Sequence, residues 1–214
     1  MILFIAPTKL HSSSKLKLGA FIKVFDNLKF RTAAYGYFGH MWELYAFWAF
    51  LPIILNIYLK LHPQTYLNVH FISFIVIAIG SVGCIVGGYI SQILGVKRTA
   101  FIALLSSAVC CLMLPFIFYL NSEAVLISFL LFWGIMVVAD SPLFSTMVAQ
   151  NSLSELKGTA LTIVNCIGFT ITIISIQLLS YLSLKFNSPF IYMILALGPI
   201  IGLVALKRES DKLN

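Results

Sequence analysis

The chain has 214 residues, of which 60% are hydrophobic and only 10% are charged. That balance excludes an ordinary soluble domain, because a fold of this size cannot bury so much apolar surface. The net charge is +7, but the basic residues flank apolar segments instead of forming one stripe, which argues against a nucleic-acid partner. The composition therefore predicts an all-α polytopic membrane protein.

The N-terminal segment, residues 1–31, is basic and precedes the first long apolar run. Its opening stretch, MILFIAP, is too short to span a membrane or to form a full signal-peptide core. Beyond it, apolar side chains recur at helical spacing: Leu18, Phe21, Ile22, Phe25 and Leu28. This pattern predicts an amphipathic helix on the cytoplasmic membrane surface, with a solvated linker as the alternative.

Six apolar runs follow, each long enough to cross the hydrocarbon core. They cover roughly residues 33–59, 69–94, 99–120, 124–149, 158–184 and 188–206. The short gaps between them hold turn formers such as His62-Pro63-Gln64. The predicted organisation is a basic segment (1–31), a six-helix transmembrane domain (32–206) and a cytoplasmic tail (207–214).

Basic residues are distributed unequally between the two sides of this predicted domain. Of the 14 Lys and Arg residues, only Lys60 and Lys185 fall on one side, and the other 12 fall on the side that holds both termini. The positive-inside rule therefore predicts that both termini face the cytoplasm. Adding or removing one span would destroy this asymmetry, so it also supports the count of six.

Two acidic residues lie well inside the predicted spans, Glu43 in span one and Asp140 in span four. An ionisable group at membrane depth is costly unless it faces protein or water, so each is a candidate functional residue. Prolines near them, Pro52 and Pro142, are predicted to kink the helices, and Pro142 removes the helical bond to the carbonyl of Val138.

Spans one and four correspond to each other if the six spans form two inverted three-helix repeats, as in many transporters. On that arrangement we expect Glu43 and Asp140 to line one cavity and to bind substrate or protons. His40, three residues before Glu43, is predicted to tune its carboxyl group. Tyr37 and Asn165 are further candidates for contact with the solute.

Structural explanations remain open for the same residues. Glu43 is alternatively a neutral carboxylic acid hydrogen-bonded between helices, with His40 as its partner. A metal site at His40 and Glu43 is another alternative, although two ligands do not make a site. Asp140 has Ser141 and Ser145 as local partners, and the aromatic residues around Glu43 are alternatively packing or interfacial anchors.

Small residues mark span two and a polar face marks span five. Gly83 and Gly87 form a GxxxG pair, and Cys84 with Gly88 forms a second small-xxx-small pair, which predicts close helix contact. The four cysteines all lie in apolar runs and are predicted to be packing residues, with no disulfide or metal role. In span five, Asn165 either hydrogen-bonds across helices or faces the cavity.

Several stretches resemble the major facilitator superfamily of secondary transporters. GYFGHMWELYAFWAF (36–50) resembles its seventh helix in one bacterial branch, and VADSPLFSTMVAQ (138–150) with KGTALTIVNCIGF (157–169) resembles its tenth and eleventh. GGYISQILGVKR resembles the conserved cytoplasmic loop G-x-x-x-D-R-x-G-R-K/R-K/R. Four residues match this conformational motif: Gly88, Gly95, Lys97 and Arg98. Gln92 replaces the acidic residue of the motif.

The resemblance implies the C-terminal six-helix half of that fold, in a bacterial inner membrane. It implies proton-coupled transport of a small solute without enzyme activity, cofactor or metal. Because the superfamily's site lies between two halves, it also implies a partner, either a separate N-terminal six-helix half or a second copy of this chain. MILFIAP and the segment after it then resemble the remnant of span six and the linker between halves, in a truncated or split chain.

Two other functions remain open from the sequence. One is a non-transporting membrane fragment or assembly subunit. The other is a six-span membrane enzyme that uses His40, Glu43 and Asp140 in hydrolysis or lipid modification, although no metal triad or nucleophile motif accompanies them.

Overall fold

A computed structural model describes residues 25–186 and 188–213 of the chain, with side chains up to residue 208. Its helical segments long and apolar enough to cross a membrane number six among these residues: Leu28–Leu61, Val69–Leu94, Val96–Ile117, Glu123–Gln150, Ser154–Lys185 and Pro189–Arg208. The described residues contain no strand. The predicted all-α class and six spans are confirmed, and the chain is an integral multi-pass membrane protein. The predicted amphipathic helix lies largely in residues 1–24, outside the described part.

Span one is a single helix of 34 residues that begins at Leu28, five residues before the start predicted from hydropathy. The side chain of Asn27 accepts hydrogen bonds from the backbone N–H groups of Lys29 and Phe30, and this cap sets the start of the helix. At about 1.5 Å per residue the helix is about 50 Å long, which exceeds the roughly 30 Å hydrocarbon core. Its ends therefore extend beyond the apolar layer.

Three of the other spans are interrupted. Span two consists of Val69–Ala78 and Gly80–Leu94, and span four of Glu123–Ala139 and Ser141–Gln150. Span six begins as a 3₁₀-helix, Pro189–Ala196, and continues as an α-helix, Leu197–Leu213. Span three is the helix Val96–Ile117, and span five is a 3₁₀ turn, Ser154–Leu156, followed by the helix Lys157–Lys185.

The two prolines that were predicted to kink helices lie in different settings. The interruption of span four falls at Asp140, two residues before Pro142, which lies in the first turn of the following helix. This agrees with the predicted break, because Pro142 cannot donate a helical hydrogen bond. Pro52 lies inside the helix of span one, which continues through it, and its predicted kink stays a prediction.

Glycines allow two pairs of spans to approach closely. A Cβ atom on Gly39 of span one would collide with the carbonyl oxygen of Gly198 in span six, and one on Gly198 would collide with the carbonyl oxygen of Gly39. In span two, Gly83 and Gly87 lie in the same way against backbone carbonyls of span four, as the GxxxG pair predicted. A Cβ atom on Gly88 would meet no atom of another helix within 4 Å, so the second small-residue line is not a helix contact there.

The apolar interior divides into two clusters. One surrounds Phe47, Leu51 and Trp133, and the other surrounds Phe30, Met41 and Phe144. Span one contributes to both, since Met41 belongs to one cluster and Leu44 to the other. His40 and Glu43 therefore lie on span one at the junction of the two clusters.

Spans contact each other at both ends of the bundle, and one end also has a basic groove. At one end, Asn27 donates to the Asn151 carbonyl over 3.5 Å, which joins the start of span one to the end of span four. Lys97, Arg98 and Lys207 share a groove at the ends of spans three and six. At the opposite end the Tyr58 hydroxyl donates to the Leu120 carbonyl over 3.0 Å.

Candidate functional site

The carboxyl group of Glu43 is held by side chains of two neighbouring spans. The indole Nε1 of Trp133 donates to Oε1 over 2.6 Å, and the thiol of Cys111 reaches the same oxygen over 3.3 Å. Ser107 donates to Oε2 over 2.9 Å. Glu43 is 0% exposed, so these groups replace solvent entirely. Span one is thereby joined to spans three and four at a single carboxyl group.

Helical spacing explains why these residues meet. Ser107 and Cys111 are four residues apart on span three and therefore lie on one face of that helix. Phe47, four residues after Glu43, stacks on the Trp133 ring with centroids 4.1 Å apart. That stacking fixes the indole so that its N–H points at the carboxyl group.

The Ser107 hydroxyl has two acceptors but only one hydrogen. Its Oγ lies 2.9 Å from Glu43 Oε2 and 3.1 Å from the carbonyl oxygen of Leu104. The hydroxyl can donate to either one. If it donates to Leu104, the contact with Glu43 is a hydrogen bond only when a protonated carboxyl group donates to Ser107. The site therefore accommodates both the charged and the neutral form of Glu43.

His40 pairs with Asp140 across the break in span four. Nδ1 of His40 lies 2.8 Å from Oδ1 of Asp140, and both side chains are about 1% exposed. Neither Asp140 oxygen has a further hydrogen bond from a described residue, so His40 is the close polar neighbour of this carboxyl group. Asp140 precedes the first residue of the helix Ser141–Gln150, where a negative charge is favoured by the helix dipole.

His40 and Glu43 are not direct hydrogen-bond partners, so that alternative for the pair does not hold, whereas the predicted tuning of Glu43 by His40 stays a prediction. Residues three apart on an α-helix point in directions about 60° apart. That angle is enough to direct Glu43 toward Ser107 and Trp133 while His40 meets Asp140. The alternative serine partners of Asp140 are not used either, since Ser145 donates to the carbonyl of Ser141.

The two remaining candidate residues, Tyr37 and Asn165, differ in how they contact this site. Tyr37 is 7% exposed, and its ring lies 6.0 Å from that of His40. The Asn165 side chain is half-buried and forms no hydrogen bond with another described residue, so the bond across helices, one of its two expected roles, is absent there. Span five instead contacts span one through Thr172 and Ser175, whose hydroxyls donate to the carbonyls of Met41 and Trp42 over 2.8 and 2.6 Å.

Sequence reasoning missed three groups of this site. Cys111 was predicted to be a packing residue, but its thiol contacts Glu43. Ser107 and Trp133 were not singled out. The signal available was the i, i+4 spacing of Ser107 and Cys111, together with an indole N–H that needs an acceptor when buried.

The side chains predicted to line a cavity do not reach an open surface of this six-helix bundle. Glu43 and Asp140 are both 0% exposed, and His40 is 1% exposed. They form the interior of the six-helix bundle instead of facing a cleft. The described residues also contain no group of three His, Cys, Asp or Glu side chains that could hold a metal ion.

The loop motif between spans two and three forms the junction of two helices. Gly95 has φ of 85°, a conformation that favours glycine, and it separates Leu94 from Val96. Gln92 and Arg98 are exposed, and Lys97 is half-buried. The basic pair therefore lies in the first turn of span three.

Comparison with known families agrees with this architecture. Residues 3–176 match the family model described as Major Facilitator Superfamily, which is more than half of the chain. A comparison with curated proteins finds no match. Six membrane-crossing helices and a family match of this length support a membrane transporter of that type. The chain belongs to the Major Facilitator Superfamily.

Proposed function

We propose that the protein moves a small solute across the membrane by proton-coupled secondary transport, with Glu43 as the group that takes up and releases the proton. The supporting observation is that this carboxyl group is wholly buried yet meets three donors. Burial disfavours the charged carboxylate, whereas each donor favours it. The two effects oppose each other, which makes both protonation states accessible.

The Ser107 hydroxyl lets the site change protonation state without moving heavy atoms. When Glu43 is charged, Ser107 donates to Oε2 over 2.9 Å. When Glu43 is neutral, its own O–H donates to Ser107, which turns its hydrogen to the Leu104 carbonyl 3.1 Å away. In both arrangements, every O–H among Glu43, Ser107 and Leu104 has an acceptor. Neither protonation state therefore leaves a buried donor of these three groups unpaired.

Protonation of Glu43 changes the strength of the link between spans. Hydrogen bonds to a charged group are roughly twice as strong as those between neutral groups. A proton therefore weakens the contacts of Glu43 with Trp133 and Ser107, and it loosens span one from spans three and four. Such a change biases an equilibrium between two packings of the bundle, which is what coupling to a transport cycle requires.

The solute site is proposed to lie between this bundle and a second set of six helices, from a separate chain or a second copy. Spans two and five favour this, because they are the least buried of the six described spans. Their exposed apolar side chains include Phe71, Phe74, Tyr89, Phe169, Ile173 and Tyr181. A proton site inside the bundle and a solute site at its surface would then communicate through span one. We also propose that the basic end faces the cytoplasm of a bacterial inner membrane.

Infrared titration tests the proton site without knowledge of the solute. The full chain in lipid nanodiscs should have a protonated-carboxyl band that disappears as pH rises, and Glu43→Gln should remove it. Glu123→Gln is the matched control, because Glu123 is exposed at the start of span four. An unchanged band in Glu43→Gln would refute the assignment.

Uptake into vesicles tests the coupling. In the assembled two-half transporter, Glu43→Gln should abolish accumulation driven by a pH gradient and leave solute exchange without a gradient intact. Normal pH-dependent uptake by this variant would overturn the proposal.

A non-transporting assembly subunit is the second candidate. It is favoured by the complete burial of Glu43, His40 and Asp140, which suits a structural role. On this candidate, Glu43 has no part in transport. The uptake measured with any second half should then be the same whether that half is combined with the native protein or with Glu43→Gln.

A further inference from the structure

Spans three and six form a groove at the basic end of the bundle, apart from the buried carboxyl groups. It has a volume of about 530 Å³ and is lined by three basic and three apolar side chains: Lys97, Arg98, Lys207, Phe101, Ile102 and Leu206. Arg98 and Lys207 are exposed, whereas Leu206 is 1% exposed. The groove is therefore amphipathic.

The position of these residues along the spans gives the depth of the groove. Lys97 and Arg98 lie in the first turn of span three, and Lys207 lies at the end of span six. Phe101 follows Lys97 by four residues, which is about 6 Å further along the helix. The basic groups thus lie at the level of lipid headgroups, and the apolar groups lie where acyl chains begin.

Two of the three basic side chains in the groove have no acidic partner among the residues whose side chains are described. Neither Arg98 nor Lys207 forms an ion pair with a described residue. The backbone N–H groups at the start of span three have no side-chain cap, and the helix dipole adds partial positive charge there. An anion at this point would meet a guanidinium, an ammonium and a helix start together.

A smaller groove of about 170 Å³ repeats the pattern on the other flank of span six, where Arg31 and Arg208 lie beside Tyr35 and Leu28. Arg208 is the neighbour of Lys207 in sequence, so the end of span six has a basic side chain toward each groove. Basic grooves between membrane helices are the sites at which anionic lipid headgroups bind.

We propose that the groove between spans three and six binds an anionic phospholipid. Its phosphate lies between Arg98 and Lys207, and an acyl chain lies along Phe101 and Leu206. Arg suits this role because its planar guanidinium donates two parallel hydrogen bonds to phosphate. The lipid would fix the end of span six against span three, independently of any proton or solute.

Binding of lipid to the purified full chain tests this. Native mass spectrometry in detergent should find phosphatidylglycerol retained on the protein under conditions that remove phosphatidylcholine. Arg98→Gln combined with Lys207→Gln should weaken phosphatidylglycerol binding by roughly thirtyfold, since each basic residue near an anionic lipid contributes about a factor of five. Lys60→Gln with Lys185→Gln, two exposed residues at the other end, should leave it unchanged.

Further measurements distinguish binding of the whole lipid from binding of its phosphate group alone, and loss of binding from loss of folding. Inorganic phosphate should not raise the thermal unfolding midpoint, whereas phosphatidylglycerol should. The charge-retaining pair Arg98→Lys and Lys207→Arg should bind lipid within about threefold of the native chain. Retention of phosphatidylcholine equal to that of phosphatidylglycerol by the native protein would overturn the proposal. So would equal stabilisation by inorganic phosphate and by phosphatidylglycerol, or a loss of binding in the Lys60 and Lys185 control pair equal to that in the Arg98 and Lys207 pair.

Discussion

Two carboxyl groups of the same bundle are supported very differently by their surroundings. Glu43 receives three donors, whereas Asp140 has one close contact, the 2.8 Å approach of His40. Removing one partner of a buried ionic pair leaves an uncompensated charge, which costs roughly 3–5 kcal/mol. His40→Leu should therefore lower the free energy of unfolding by roughly that amount, measured by denaturant unfolding in detergent.

His70→Leu is the control for this prediction, because His70 is exposed on span two. It should change the free energy of unfolding by about 0.5 kcal/mol or less. The double variant of His40→Leu and Asp140→Leu should recover part of the loss, since it leaves neither buried polar group without its partner. Strictly additive effects of the two substitutions would show that the pair does not interact.

The identity of the buried polar residues was predictable from sequence, but their partners were not. A charge inside an apolar run is visible without a structure, and so Glu43, His40 and Asp140 were found. In helices that are apolar on every side, however, periodicity does not reveal which face meets which neighbour. The pairing of Glu43 with Trp133, 90 residues away, depends on tertiary packing alone.

At the scale of the elements, the crossing of spans one and six depends on two glycines. A methyl group on Gly39 would collide with a backbone carbonyl of span six, which cannot move as a flexible side chain can. Gly39→Ala should therefore destabilise the protein by roughly 1–3 kcal/mol, as overpacking does. The thermal unfolding midpoint in detergent measures this.

Gly88→Ala is the matched substitution for this test, since Gly88 lies in a helix and a Cβ atom there would meet no other helix within 4 Å. It should leave the unfolding midpoint unchanged or raise it, because alanine favours helix over glycine by about 0.5–1 kcal/mol. Equal destabilisation by the two substitutions would contradict the close crossing at Gly39.

The number of spans was predictable because it depends on length and hydropathy, whereas their ends depend on capping and packing. Span one starts at Leu28 because Asn27 caps it, and hydropathy detects only the part at membrane depth. The 3₁₀ start of span six, Pro189–Ala196, has no clear pattern of its own. Pro199, four residues after Leu195, cannot donate a helical bond to that carbonyl at the junction.

At the scale of the whole molecule, the polar groups separate two apolar clusters that span one connects. Each apolar cluster is tightly packed, which opposes rearrangement of its helices. At the junction between the clusters, the hydrogen bonds of Glu43 are stronger when its carboxyl group is charged than when it is protonated. On the proposed function, the contact that a proton changes therefore lies near the centre of the longest described helix. The groove proposed to bind an anionic lipid lies at one end, where the basic side chains gather.

The final prediction concerns the orientation of the six spans, which the basic residues should fix. Twelve Lys and Arg residues against two predict that positions 95, 152 and 214 lie in the cytoplasm and that positions 63, 121 and 187 lie outside. A fluorescent-protein fusion should emit at the first three positions and be dark at the second three, and an alkaline-phosphatase fusion should be active in the opposite set. Because each span crosses once, signals must alternate along the chain. Equal signals at 63 and 95 would remove span two as a crossing, and with it the alignment of Glu43 and Asp140 in corresponding spans.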